Sequence, residues 1–255
     1  MANPYSTELF EIEHDGARAS AAIILPLIAD LFRPRSLIDI GCGQGTWSAT
    51  ALTLGIDDQV GVDGAWAQPV LTIPESRFHA CDLARTFDLG RRFDLAISMD
   101  VAEHISVASA DTFVGNIVRH ADAVVFSAAA PYQGGVGHVN EQWPAYWAAK
   151  FARHDYRCFD FLRWRIWQDR RISAWYRQNL LIFANRRNAA LVHRLERRAA
   201  EAMPAAAAVI HPDIWTPLAN GKGLRLQRLL GPALKSLLGL MPRRRTPGPQ
   251  LSGDI

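Results

Sequence analysis

An acid followed by three alternating glycines, Asp39-Ile-Gly41-Cys-Gly43-Gln-Gly45, is the first place where residue types and spacing could do chemistry. Glycines let backbone approach a ligand closely, and amides at the start of a following helix favour electron-rich groups. The spacing is G-x-G-x-G; the dinucleotide fingerprint would place its third glycine at Thr46. Acids recur at Asp63, Asp82 and Asp100, where carboxylates could accept hydrogen bonds from a ligand. Two histidines complete the set. His104 closes Asp100-Val-Ala-Glu-His104, and His138 sits in Gly134-Gly-Val-Gly-His-Val-Asn-Glu-Gln-Trp143. Imidazole titrates near neutrality and suits removing a proton from a hydroxyl.

These residues need elements to hold them. Apolar spacing predicts a helix over 16–32, stopped by Arg33-Pro34. Short apolar runs predict strands at 36–40, 59–62, 76–80, 93–98 and 123–127, with helices over 46–54 and 109–120. Beyond them, 141–152 reads as helix, 157–161 and 179–184 as strands, and 186–203 as an Ala/Arg-rich helix. Strands alternating with helices argue for a parallel sheet of the α/β class. In such a sheet ligands sit outside the carboxyl ends of the strands. Gly41, Asp63, Asp82, Met99-Asp100 and the segment from Pro131 would then gather on one edge. A catalytic domain is expected over 1–187, followed by a basic helical extension over 188–255 that includes a Pro/Gly-rich linker.

Composition narrows the class. The chain has 255 residues, 49% hydrophobic and 21% charged, an ordinary globular balance. No window reaches the ~18 uninterrupted apolar residues that span a bilayer. Residues 1–15 carry Glu8, Glu11, Glu13 and Asp15 with no Lys or Arg, so a secretory signal is not expected. Cys42, Cys81 and Cys158 lack zinc-site spacing and suggest a reducing cytoplasm. The net charge of +3 hides a split: from Arg186 onward, 12 basic residues face 4 acidic ones, whereas residues 1–185 hold 16 against 21. An acidic catalytic domain with a basic tail is the expected arrangement.

At this point the chain resembles the class I S-adenosylmethionine-dependent methyltransferases over about residues 20–185. The matching segments are Leu37–Gly45, Gly61-Val-Asp63, Ala80-Cys-Asp82-Leu83 and Phe93–Ile105. The resemblance implies a Rossmann-like, doubly wound, mostly parallel seven-stranded sheet and S-adenosylmethionine as cofactor. It implies that Gly41, Gly43 and Gly45 border the methionine and ribose moieties, and that Asp63 accepts from the ribose hydroxyls. Asp82 would receive the adenine amino group with Leu83 beside the ring, and Asp39 would lie near the methionine end. Met99 would face the cofactor from the end of the fourth strand.

The acceptor is read from the later loops. His138 is the expected base, with His104 a second catalytic candidate, and Tyr132, Asn140 and Gln142 positioning a small hydroxylated acceptor. The His-x-Asn-x-Gln-Trp loop and Trp175-Tyr-Arg-Gln-Asn-Leu look like those of small-molecule methyltransferases acting on surface glycans. A sugar oxygen is therefore the expected target, without a metal ion and without nucleic acid. One rival is an RNA 2′-O-methyltransferase, because Asp100, Glu103, His104 and His138 resemble that group's Mg²⁺-holding pattern; the acidic balance of residues 1–185 argues against it. The other rival is a non-catalytic scaffold. In the tail, Leu226, Leu230, Leu234, Leu237, Leu238 and Met241 share helical spacing beside Arg225, Arg228 and Lys235. Such a helix could rest on the inner membrane surface as a peripheral contact.

Overall fold

The computed structural model describes residues 7–200 and 209–219, with side chains over 16–200 and 209–216. Helix α1 (Thr7–Phe32) leads into β1 (Ser36–Ile40), α2 (Thr46–Thr53), β2 (Asp58–Asp63) and the short β3 (Phe78–Ala80). Next come β4 (Leu95–Met99), α3 (Ala110–His120), β5 (Ala123–Ser127), α4 (Pro144–Ala152) and β6 (Tyr156–Phe159). Helices α5 (Leu162–Ile166) and α6 (Ala174–Asn179), β7 (Leu181–Asn185), α7 (Ala189–Ala199) and α8 (Pro212–Ala219) follow.

The strands form one seven-stranded sheet in the order β3-β2-β1-β4-β5-β7-β6. Every pairing is parallel except those of β7, which runs antiparallel to both β5 and β6. This is the doubly wound, mostly parallel seven-stranded sheet that the family resemblance implies. Neighbouring residues of a strand face opposite sides, so Leu37, Ile97 and Val125 pack under α1 and α2 while Ile38, Ala96 and Val124 pack under α3 and α4. Each fully buried side chain of Leu or Phe size contributes about 1.5–3 kcal/mol. Phe151 and Phe183 stack within the second layer with centroids 3.8 Å apart, and Phe126 meets both edge-on.

Several element bounds differ from the sequence reading for local reasons. The helix expected over 141–152 starts at Pro144, whose fixed φ suits a first helical turn, while Glu141 stays in the loop. The strand expected over 179–184 runs 181–185, because Asn179 closes α6. Helix α7 starts at Ala189, where the Asn188 side chain caps it by accepting from the Leu191 amide at 3.1 Å. Its Leu191 and Leu195 join the core beneath α1.

The chain divides into two compact units, ending and beginning at Trp215 and Thr216. The basic amphipathic helix expected around Leu226–Met241 lies outside the described residues. Among the described residues no helix is long and apolar enough to cross a membrane.

Candidate active site

Strand order reverses between β1 and β4, and the crevice at that switch is where the sequence places its glycines. Gly41, Gly43 and Gly45 all have positive φ, at 85°, 53° and 85°. Gly41 must also be small: an added Cβ would lie 2.3 Å from a Val101 methyl. At Gly43 an added Cβ would meet no protein atom within 4 Å, so its face of the turn is open. Asp63, at the end of β2, braces the turn: its carboxylate accepts from the Gly43 amide at 2.8 Å and the Gly64 amide at 2.7 Å. Each oxygen keeps further lone-pair capacity.

Beneath the turn lie two buried carboxyls, Asp39 and Asp63. Asp39 is fully buried, and burial pushes its carboxyl up to about 7 although the Ser48 hydroxyl donates to it at 3.1 Å. Burial also raises Asp63, opposed by its two amide donors, and raises the Cys42 thiol with help from both carboxylates. A positively charged ligand beside these carboxyls would favour their ionised forms. Farther out, Asp82 accepts from the Ala84 amide at 3.0 Å with Arg85 beside it at 3.3 Å, while Leu83 and Met99 are buried.

The opposite wall comes from the segments after β4 and β5. The ends of those strands are tied by Ser127, whose hydroxyl donates to Asp100 at 2.7 Å. Ala102–His104 forms a short 3₁₀ turn. Glu103 within it anchors the later loop: its carbonyl accepts from the amides of Val139 (2.8 Å) and Asn140 (3.0 Å), and its carboxylate accepts from Ala129 (3.2 Å). The other carboxylate oxygen, Oε2, is buried without a hydrogen-bond partner. Burial, reinforced by Asp100, raises the Glu103 carboxyl well above its usual range.

His104 and His138 come together as the sequence suggests, ring edge to ring face at 4.9 Å. Burial, then the neighbouring His138, lowers the pKa of His104. His138 is oriented by Glu141, 2.9 Å from Nδ1. Burial works to raise Glu141, but the bond to His138 and those from the Gly134 and Tyr132 amides bring it below its ordinary value. An ionised carboxylate only accepts, so Nδ1 carries the proton and Nε2 is left basic. Gly135 gives the ring room, since a Cβ there would lie 2.2 Å from Nε2. Asn140 is 2% exposed; it accepts from Gln142 at 3.0 Å, and its own amide nitrogen is buried without a partner. Tyr132 stands at the rim, 77% exposed and at φ 68°.

Glu141 is the residue that sequence reading missed, and its place three residues after His138 is the signal it gave. One atom each of Glu103, His104 and His138 lies within 4.8 Å of the others, a donor set able to hold a divalent cation. Asp100 is not part of that group. One carboxylate and two imidazoles suit zinc, iron or manganese better than Mg²⁺, which prefers oxygen.

The family model described as a methyltransferase domain matches residues 12–166, well over half of the chain. The chain belongs to this methyltransferase family. No curated protein matches it. Among solved structures, this methyltransferase is similar to the sugar N-methyltransferase KedS8 from a Streptoalloteichus species, at 18% identity and TM-score 0.55, covering 72% of this chain and 94% of that one. It is also similar to DesVI of Streptomyces venezuelae, at 16% identity and TM-score 0.52, with 69% and 95% covered. A third is CalS10, an amino pentose methyltransferase from Micromonospora echinaspora, at 18% identity and TM-score 0.51, with 72% and 99% covered. Likeness at these identities establishes the fold. The methyl donor of this methyltransferase is S-adenosylmethionine. The glycine turn fits it: an open face over Gly43, residual acceptor capacity on Asp63, and the buried Asp39 carboxyl beneath.

Proposed function

We propose that this methyltransferase methylates a hydroxyl of a sugar or a similar small hydroxylated acceptor, in the assembly of a surface glycan or secondary metabolite. In this reading Gly41, Gly43, Gly45 and Asp39 border the methionine end of the cofactor. Asp63 takes the ribose hydroxyls, and Asp82, Leu83 and Met99 border the adenine and the crevice. S-adenosylmethionine supplies an electrophilic methyl group on a sulfonium. His138 takes the acceptor's proton on Nε2, with Glu141 holding the tautomer and sharing the positive charge that forms. Asn140 offers its unpartnered amide to an acceptor oxygen, Gln142 fixes Asn140, and Tyr132 covers an apolar sugar face. His104, kept neutral, lines the same pocket.

The observation that carries the reading is the Glu141–His138 pair set beside the orphaned polar atoms of Glu103 and Asn140. The sugar methyltransferases among the structural neighbours support the acceptor class. The test is a mass-spectrometric assay of methyl transfer to a panel of sugars and sugar nucleotides. His138→Ala is expected to lose about 10²–10⁴-fold in kcat with unchanged S-adenosylhomocysteine affinity. Full turnover in that variant, or transfer to amines alone, overturns it. Because Glu103, His104 and His138 could hold a cation, the assay is repeated after chelation. Loss restored by zinc or manganese would assign those three to a metal.

A further inference from the structure

A second concave feature lies at the other edge of the sheet. A cavity of about 400 Å³ opens where the chain enters β1, β4 and β5 and leaves β7. Four arginines line it: Arg33 and Arg35 ahead of β1, and Arg194 and Arg197 one turn apart on α7. Phe32 and Leu191 form a buried apolar floor.

Charge in this cavity is unbalanced. Its two carboxylates are already engaged. Asp94 accepts from the Arg35 and Ser36 amides at 2.8 and 3.1 Å. Asp122 accepts from Arg92 at 2.6 Å, from Asn185 at 2.9 Å and from Asn188 at 3.4 Å. None of the four lining guanidiniums has a carboxylate within 4.0 Å among the described residues. The Nε of Arg194 is buried without a partner. A buried guanidinium nitrogen without an acceptor is costly unless a ligand supplies one. The amino end of α7 opens into the same space and adds a partial positive charge.

We propose that this cavity binds the phosphate of an anionic ligand, through guanidinium forks suited to a phosphomonoester or diphosphate. Strands β1, β4 and β5 separate it from the glycine turn by a full strand length, about 16 Å at 3.3 Å per residue. The site is therefore distinct from the methyl-transfer crevice. It also marks where the basic part of the sequence begins, since α7 lies just beyond Arg186.

The test is calorimetric titration of the full chain with inorganic pyrophosphate, for wild type and for the double variant Arg35→Gln/Arg194→Gln. Wild type is expected to bind with a submillimolar Kd, and the double variant at least about tenfold more weakly, with an unchanged unfolding temperature. Should the double variant unfold, the exposed single change Arg197→Glu gives the same comparison. Vesicles of phosphatidic acid in phosphatidylcholine distinguish the source. Co-sedimentation lost in the variant assigns a lipid headgroup, whereas pyrophosphate binding without co-sedimentation assigns a soluble phosphate compound. No pyrophosphate binding by the wild type, or binding that survives the substitutions, overturns the site.

Discussion

The two walls of the crevice are built by different means. On the donor side the backbone itself makes the surface: three glycines at positive φ, one packed against Val101, with Asp63 holding two main-chain amides. On the acceptor side two glutamates organise a loop through their side chains and carbonyls, Glu103 from below and Glu141 from within. The first design tolerates few substitutions because its backbone conformation disfavours side chains and Gly41, close against Val101, leaves no room for one. The second depends on segments 25 to 40 residues apart in sequence and can change its acceptor by changing side chains.

The largest effect that separates the walls is expected within the glycine turn. Gly41→Ala combines a left-handed backbone with overlap against Val101 and should cost about 3 kcal/mol or more in denaturant unfolding. Gly43→Ala should stay within about 1–2 kcal/mol of wild type while losing cofactor affinity, because its methyl points into the open face. Equal destabilisation by the two changes would break the comparison. Next, Glu141→Ala should lower kcat by about 10–100-fold and leave S-adenosylhomocysteine affinity unchanged, as loss of an orienting carboxylate does elsewhere. A parallel loss of cofactor affinity would mean that the two walls are one unit.

The smallest effect is electrostatic. The Asp39 carboxyl, at about 7 in the fold against 3.8 when unfolded, binds more protons folded than unfolded between those values. Its contribution is therefore greatest below pH 3.8 and falls as pH rises towards 7. Asp39→Asn should remove that decline and leave the ligand-free protein more stable than wild type above pH 7. Chemical denaturation across pH checks it, and an unchanged pH slope would contradict the burial argument.

The donor wall was legible in the sequence because its requirements are local. Gly41, Gly43 and Gly45 answer to φ, and Asp39 and Asp63 sit at the ends of recognisable apolar runs. The strands were legible for the same reason, β7 included as a late apolar run, but its antiparallel direction and its place between β5 and β6 were not. The acceptor wall was only half legible. His104 and His138 announce themselves by type, but Glu141 looks like the first turn of a helix until its carboxylate is seen holding Tyr132, Gly134 and His138. The arginine cavity was not legible at all: segments near residues 33, 94, 122 and 194 meet only through the strand order.

The donor wall carries the central claim, and one titration tests it most directly. Calorimetry of the purified chain with S-adenosylhomocysteine, repeated with Asp63→Ala, should show one-site binding in the wild type and its loss in the variant, with both proteins folded. A folded wild type that does not bind, or a variant that binds as tightly, would contradict it.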